Sequence, residues 1–393
     1  MSENTVDRIV AHAYPWDVLG DPEFVSRARD LGVREIALAA SYHSTRAATP
    51  LHPHHKVVDA HHAALYRPLR GEAWDDLAVA ARTASWGGSE DAFGDAARLL
   101  NDAGIGVHAW IVLSHSTIIG HAHPDATVVN CFGDRYPYAL APGHPDIVAY
   151  ARTLAAESVR GVDLLGVSIE AAGQLGFAHV GPHEKTDGAY PGVGDALMSI
   201  SCTARELEAW GAHGVDADKI VAKLRDGVDG LSGGTVPPSA KITEVLSEEE
   251  ADAVLAVRHA DADTLRREVF SAVRAQAPEV RVTLHGHPDP WKTGPSPALT
   301  ASAPADVDAV LVSAWPGTAE TVSVVQKTRA LVGDDVAVGA YVSVLPPKKL
   351  DEVGAHVAAT VAAGANELHL YHLGLVNRPQ LDALGSIIAE YSS

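Results

Sequence analysis

Cysteine is almost absent: Cys131 and Cys202 are the only two in 393 residues. Two thiols cannot build a disulfide framework and suit a reducing compartment, so both are expected as small buried side chains rather than catalytic thiols. Basic residues are short as well. The 30 of them against 50 acidic ones give a formal net charge of −20, which argues against a nucleic-acid partner, because phosphate binding needs a basic face. No stretch approaches the roughly 20 uncharged apolar residues that span a bilayer. The opening residues, Met1 to Asp7, are polar and acidic, without the basic start and apolar core of a secretory signal. A cytoplasmic address with no membrane partner is the expectation. Low-complexity tracts and fixed-period repeats are missing too, and no Gly-x-Ser-x-Gly elbow supports serine nucleophile chemistry. What the chain has in quantity is apolar side chain, 47% against 20% charged, which is the composition of an ordinary globular protein and not of a disordered one.

Those apolar residues come in eight short runs: RIVAHAY at 8–14, EIALAAS at 35–41, GVHAWIVL at 106–113, LLGVSIE at 164–170, VRVTLH at 280–285, AVLVSA at 309–314, VAVGAYV at 336–342 and ELHLY at 367–371. Apolar content on consecutive positions suits strands covered on both faces, as in parallel sheets. Helix signals fill the gaps: Asp21-Pro-Glu before a helix closing at Gly32, the capping-box spacing of Ser247-Glu-Glu-Glu, and Ala362-Ala-Gly364 ending the helix before the last run. Eight strand–helix units predict an α/β fold of the (β/α)₈ type, a TIM barrel forming a single domain over 1–393. An open doubly wound sheet is the rival, but no glycine-rich phosphate loop follows the first strand. The connections after strands two (42–103) and four (171–279) are far longer than a crossover needs. The second reads as an extended insertion with a helix near 203–224, a linker DGLSGGTVPPSA and a further helix. Both would leave from strand C-termini, the face where barrel active sites sit.

Glu170 is the most informative residue, an isolated carboxylate ending an apolar run. Burial there would raise its pKa and suit a general acid. A structural carboxylate paired with Arg46, from the YHSTR segment after strand two, is the alternative. Tryptophans Trp16, Trp110, Trp291 and Trp315 fall at or just after strand ends, joined by Tyr14, Tyr42, Tyr341 and Tyr371. Such flat faces suit stacking on a sugar ring, although core packing would also account for Trp110 and Tyr341. His12, His43, His115, His285, His287 and His372 map to the same end and could bind hydroxyls, move protons or hold a metal. The His285-Gly-His287 pair lacks the companions of a zinc hydrolase site, so no metal and no cofactor are assigned. Glycoside cleavage needs a second carboxylate. Asp289 in HGHPDPW ranks first, with Asp17 in YPWDV and Glu320 in WPGTAE behind it.

The segments GVDLLGVSIEAAG, SISCTARELEAWGAHGVDADKI and GANELHLYHLGL, with Tyr371-His-Leu-Gly374 closing the eighth strand, resemble barrel proteins classed with the glycoside hydrolases. The similarity covers roughly 103–376 and implies a glycoside-processing barrel with Glu170 as proton donor. Two family patterns do not carry over. The clan acting from strands four and seven has Asn-Glu on the fourth, where Ile169 precedes Glu170, and a Glu on the seventh, where VAVGAYVSVLPP has none. Chitinase-like barrels carry Asp-x-Glu, where Ser168 stands here, although Asp163 matches the first Asp of their motif.

The expectation is therefore a hydrolase of small glycosides or oligosaccharides, with a carbohydrate as partner and a homo-oligomer compatible with the chain. Glu170, Asp289 and Asp17 would be catalytic. Tyr14, Trp16, His43, Arg46, Trp110, His115, His285, His287, Trp291, Trp315, Tyr341, Tyr371 and His372 would bind substrate. A metal-dependent sugar isomerase, epimerase or lyase, and an inactive sugar-binding barrel, are the alternatives.

Overall fold

Eight parallel strands form the wall of a closed barrel in the computed structural model, which describes residues 5–178, 185–186 and 188–392. They are β1 (Arg8–Ala13), β2 (Glu35–Tyr42), β3 (Gly106–Val112), β4 (Gly166–Glu170), β5 (Arg281–His285), β6 (Ala309–Ser313), β7 (Ala337–Ser343) and β8 (Glu367–Tyr371). Each pairs with its sequence neighbours, and β8 pairs with β1, so no edge is left open. With helices between the strands this is a (β/α)₈ TIM barrel, and all eight apolar runs became its strands. Met1–Asn4 of the polar opening stretch lie outside the described residues.

Side chains alternate along each strand between the barrel interior and the surrounding helices. Val167 and Ile169 of β4, with Val282 and Leu284 of β5, face outward and join one hydrophobic cluster with Leu265 and Val269 of the Glu248–Gln276 helix. Full burial of each such side chain contributes about 1.5–3 kcal/mol. Ser247 opens that 29-residue helix with the capping box its sequence promised, its side chain accepting from the Glu250 N–H.

The connection after β4 is the largest departure from a plain barrel. It contains the Val193–Met198, Ala204–Ala212 and Ala217–Ser232 helices, and buries its own cluster around Leu197, Trp210, Ile220, Leu224 and Val257. The single helix expected at 203–224 is in fact two, because Gly214 adopts a φ of 86° that ends the first. The second runs to Ser232, into the segment read as linker. The connection after β2 begins with a hairpin of Thr45–Ala48 and Val57–Ala60. Cys131 is buried and Cys202 half-buried, and burial pushes both thiols up, as expected of packing residues. Among the described residues no helix is long and apolar enough to cross a membrane.

Candidate active site at the barrel mouth

Glu170 is the last residue of β4 and its side chain turns into the C-terminal mouth of the barrel. The Trp110 indole N–H, from β3, donates to Glu170 Oε2 at 2.8 Å, and His285 Nδ1 of β5 lies 3.9 Å from the same oxygen. Burial raises the Glu170 carboxyl to about 7, with the Trp110 hydrogen bond pulling the other way. Ala171, immediately after it, is the non-glycine residue of the described chain with a positive φ, 57°. A left-handed alanine costs about 1–3 kcal/mol, and such strain concentrates at functional sites. Because the indole N–H stabilises the charged carboxylate, Trp110→Phe is expected to move the Glu170 midpoint upward by about one pH unit or less, read by carbon NMR of the carboxyl.

His285 is neutral at ordinary pH, pushed down to about 3 by burial and by His369. Its Nε2 meets the Ser168 hydroxyl at 2.9 Å inside the barrel. At the same end of the barrel the rings of Trp315, Tyr341 and Tyr371 converge, with Trp315 centred 4.9 Å from Tyr371 and 5.7 Å from Tyr341. Trp315 is 46% exposed, an open flat face at the rim. Tyr42, His43 and His115 continue the wall, His43 stacked 4.2 Å from Tyr42 and lying 4.3 Å from His115.

Asp17 is the other buried carboxyl at this end. Its Oδ2 accepts the Tyr14 N–H at 2.9 Å and lies 3.8 Å from His372 Nδ1, while Oδ1 has no partner among the described residues. A Cβ at Gly374 would stand 2.1 Å from the Asp17 carboxyl, so only glycine lets the loop after β8 pass so close. Burial raises Asp17 to about 7 as well. Asp17 and Glu170 both act on the Tyr371 phenol, which places the tyrosine within the field of each. His372 is buried and held down to about 3 by desolvation, its Nδ1 accepting the Gly374 N–H at 3.1 Å.

Other expected site residues lie elsewhere. Asp289 is exposed and folded into its own loop, accepting the Trp291 N–H while its own N–H goes to His287 Nδ1 at 3.1 Å. The short Pro-rich turn closes on itself, so the acid ranked first as partner of Glu170 makes no contact with it. Trp291 packs under the Arg258 guanidinium, 5.5 Å from its ring, against the cluster of the long connection. Trp16 is 4% exposed and stacked 4.4 Å from Tyr14, a core residue rather than a platform. Arg46 is exposed on the hairpin after β2 and forms no ion pair with Glu170. Glu320 is exposed on the Thr318–Val332 helix. Tyr14 and Trp110, each 1% exposed, sit beneath the mouth, and His287 is half-buried beside β5. Among the described residues no group of three His, Cys, Asp or Glu is gathered to hold a metal ion.

Sequence reasoning missed the polar interior below Glu170: Glu35, His108, Ser168, Glu367 and His369. Spacing by two was the available signal, as in His108–Trp110, Ser168–Glu170 and Glu367–His369–Tyr371, which set these polar residues on one face of their strands.

No protein-family model matches the chain, and neither does any curated protein. Solved structures do. The catalytic domain of β-amylase from Paenibacillus polymyxa matches at a TM-score of 0.58 and 13% identity, covering 99% of this chain and 100% of that domain. α-L-Fucosidase isoenzyme 2 from Paenibacillus thiaminolyticus matches at 0.57 and 12% identity, covering 98% of this chain and 49% of its own. β-Galactosidase from Bacillus circulans sp. alkalophilus matches at 0.57 and 10% identity, covering 98% and 56%. The chain thus spans about half the length of the last two. At these identities the likeness is one of fold: the chain shares its barrel with the catalytic domains of glycoside hydrolases.

Proposed function

We propose that the protein is a glycoside hydrolase that cleaves a small glycoside or oligosaccharide with Glu170 as proton donor. The observation that carries this reading is the buried Glu170 carboxyl, raised to about 7 at the end of β4, the end of the barrel at which the rings of Trp315, Tyr341 and Tyr371 converge. A carboxyl at that pKa is protonated in part of the population near neutrality, which a general acid requires. The rings offer apolar faces to a sugar, with His43 and His115 beside them to bond hydroxyls.

Asp17 supplies the second carboxyl in this reading. One of its oxygens is held by the Tyr14 N–H, and the other, buried against Gly374, has no partner among the described residues; the ionised fraction of this carboxyl near pH 7 is the base in this reading. Glu170 protonates the glycosidic oxygen as the C–O bond breaks. Water adds to the anomeric carbon and gives its proton to Asp17. Asp289, turned into its own loop, is left at the rim.

A panel of chromogenic glycosides tests the activity. Turnover of a member by the native protein, lost in Glu170→Gln, supports the reading. Saccharide binding without turnover would make the barrel a binding protein, and restoration of activity by a divalent ion after chelation would favour the isomerase or lyase class. Trp315→Ala should weaken saccharide binding roughly 2- to 10-fold, the worth of one ring stack, without lowering the melting temperature, since the ring is half exposed.

A further inference from the structure

The long connection after β4 encloses a second polar site, apart from the carboxyls of the mouth. Arg258, on the Glu248–Gln276 helix, is 8% exposed, and among the described residues it forms no ion pair. Its hydrogen bonds go to two main-chain oxygens, Nη1 to Trp291 O and Nη2 to Ser199 O, each at 3.3 Å. Burial pulls the guanidinium down to about 10, so it is charged at neutral pH, and the groups acting against that burial are the exposed Asp289 and Cys202. Arginine is rarely this buried without a carboxylate in contact, because a buried charge with no counter-charge beside it is costly.

Arg258 lines a narrow cavity together with Gln174, Ser201, Glu206, Trp210 and Asp261. Ser201 is buried, and its hydroxyl has no hydrogen-bond partner among the described residues. The two acids on the wall are satisfied locally. Arg205 donates to Asp261 Oδ2 at 2.7 Å and lies 3.3 Å from Glu206. Glu206 also accepts the Thr203 hydroxyl in the first turn of the Ala204–Ala212 helix, where the helix dipole favours negative charge. Neither acid is among the groups that act on Arg258. What the cavity offers an occupant is therefore one cation and one hydroxyl donor. Its free space is little more than that of a water molecule, which excludes a sugar ring and suits a monatomic ion.

We propose that this cavity binds a single chloride-sized anion, held by the Arg258 guanidinium and the Ser201 hydroxyl. Such an ion supplies the counter-charge that the fold does not, and accepts the hydroxyl proton as well. Gln174, four residues beyond Glu170, lines the same cavity, so the ion would also brace the start of the excursion. The site stands apart from the glycoside hydrolase reading.

Bromide is the probe. Crystals of the native protein grown in sodium bromide should show an anomalous peak within hydrogen-bond distance of the Arg258 guanidinium and Ser201 Oγ. A water there without anomalous signal overturns the proposal, as does a peak found on the outer surface alone, which is an adventitious ion only. In solution, exchanging sodium gluconate, too large for the cavity, for sodium chloride at equal ionic strength should raise the melting temperature by about 1–2 °C, the linkage expected with the ion at about ten times its dissociation constant. Arg258→Gln should abolish both the peak and the difference. A chloride effect of equal size in the variant would mark general salt action and defeat the site. Should the variant fail to fold, the bromide peak in the native protein still decides. Absence of glycosidase activity would remove the proposed function and leave these results standing.

Discussion

Replacing Glu170 by glutamine is expected to abolish most turnover of a cleavable glycoside while leaving its binding intact. The amide keeps the size of the side chain and an oxygen to accept from Trp110, so the mouth retains its shape. What it loses is the proton for the leaving oxygen, an effect on the order of 10²- to 10⁴-fold in kcat. The loss should be largest for poor leaving groups and smaller for a dinitrophenyl glycoside, whose phenolate departs unassisted. Steady-state kinetics with both substrates, beside calorimetric titration of a non-cleavable saccharide, gives the comparison. Full activity of the variant would take the proton-donor role from Glu170.

The same burial carries a stability consequence large enough to measure. Glu170 and Asp17 are each raised to about 7, so the folded chain binds their protons more tightly than the unfolded chain does. Their contribution is fully present below the ordinary carboxylate range and is lost as the pH rises toward 7. Each pH unit that separates the folded from the unfolded midpoint is worth about 1.4 kcal/mol, so each carboxyl accounts for on the order of 3 kcal/mol over that interval. Denaturant unfolding between pH 4 and 8 should show wild-type stability falling through this window. Glu170→Gln and Asp17→Asn should each flatten the slope, whatever pH-independent cost the amide brings. An unaltered slope in both variants would mean that neither carboxyl is buried with its proton. A protein that gives up this much stability at neutral pH to keep two carboxyls out of water fits a site selected for chemistry rather than for endurance.

The barrel was legible because strands buried on both faces leave continuous apolar runs, and eight of them left little choice of topology. Glu170 was legible for the complementary reason, a charge where such a run ends. The second buried carboxyl at this end was harder. Asp289 and Asp17 both follow a strand by a few residues, and the difference between them is made by backbone hydrogen bonds: the 285–291 turn folds back so that Asp289 caps Trp291, whereas the helix of Pro15–Leu19 turns Asp17 inward beneath Gly374. Trp16 reads as a loop tryptophan, yet stacking on Tyr14 draws it into the core. The polar interior was harder to see because its members come from strands far apart in sequence, Glu35 from β2, His108 from β3, and Glu367 and His369 from β8. Alternation shows that a residue points inward and says nothing of which residue it meets there.

The left-handed turn at Ala171 reaches beyond the carboxyl next to it. Its N–H is held by the Pro295 carbonyl at 2.8 Å, from the segment that follows β5. The first peptide of the long excursion after β4 is thereby fastened to a stretch beyond its far end. Site and excursion are not separable modules: a minimal barrel made by trimming the excursion to a short crossover would have to rebuild this clasp, or the acid would lose its aim while every strand stayed in place.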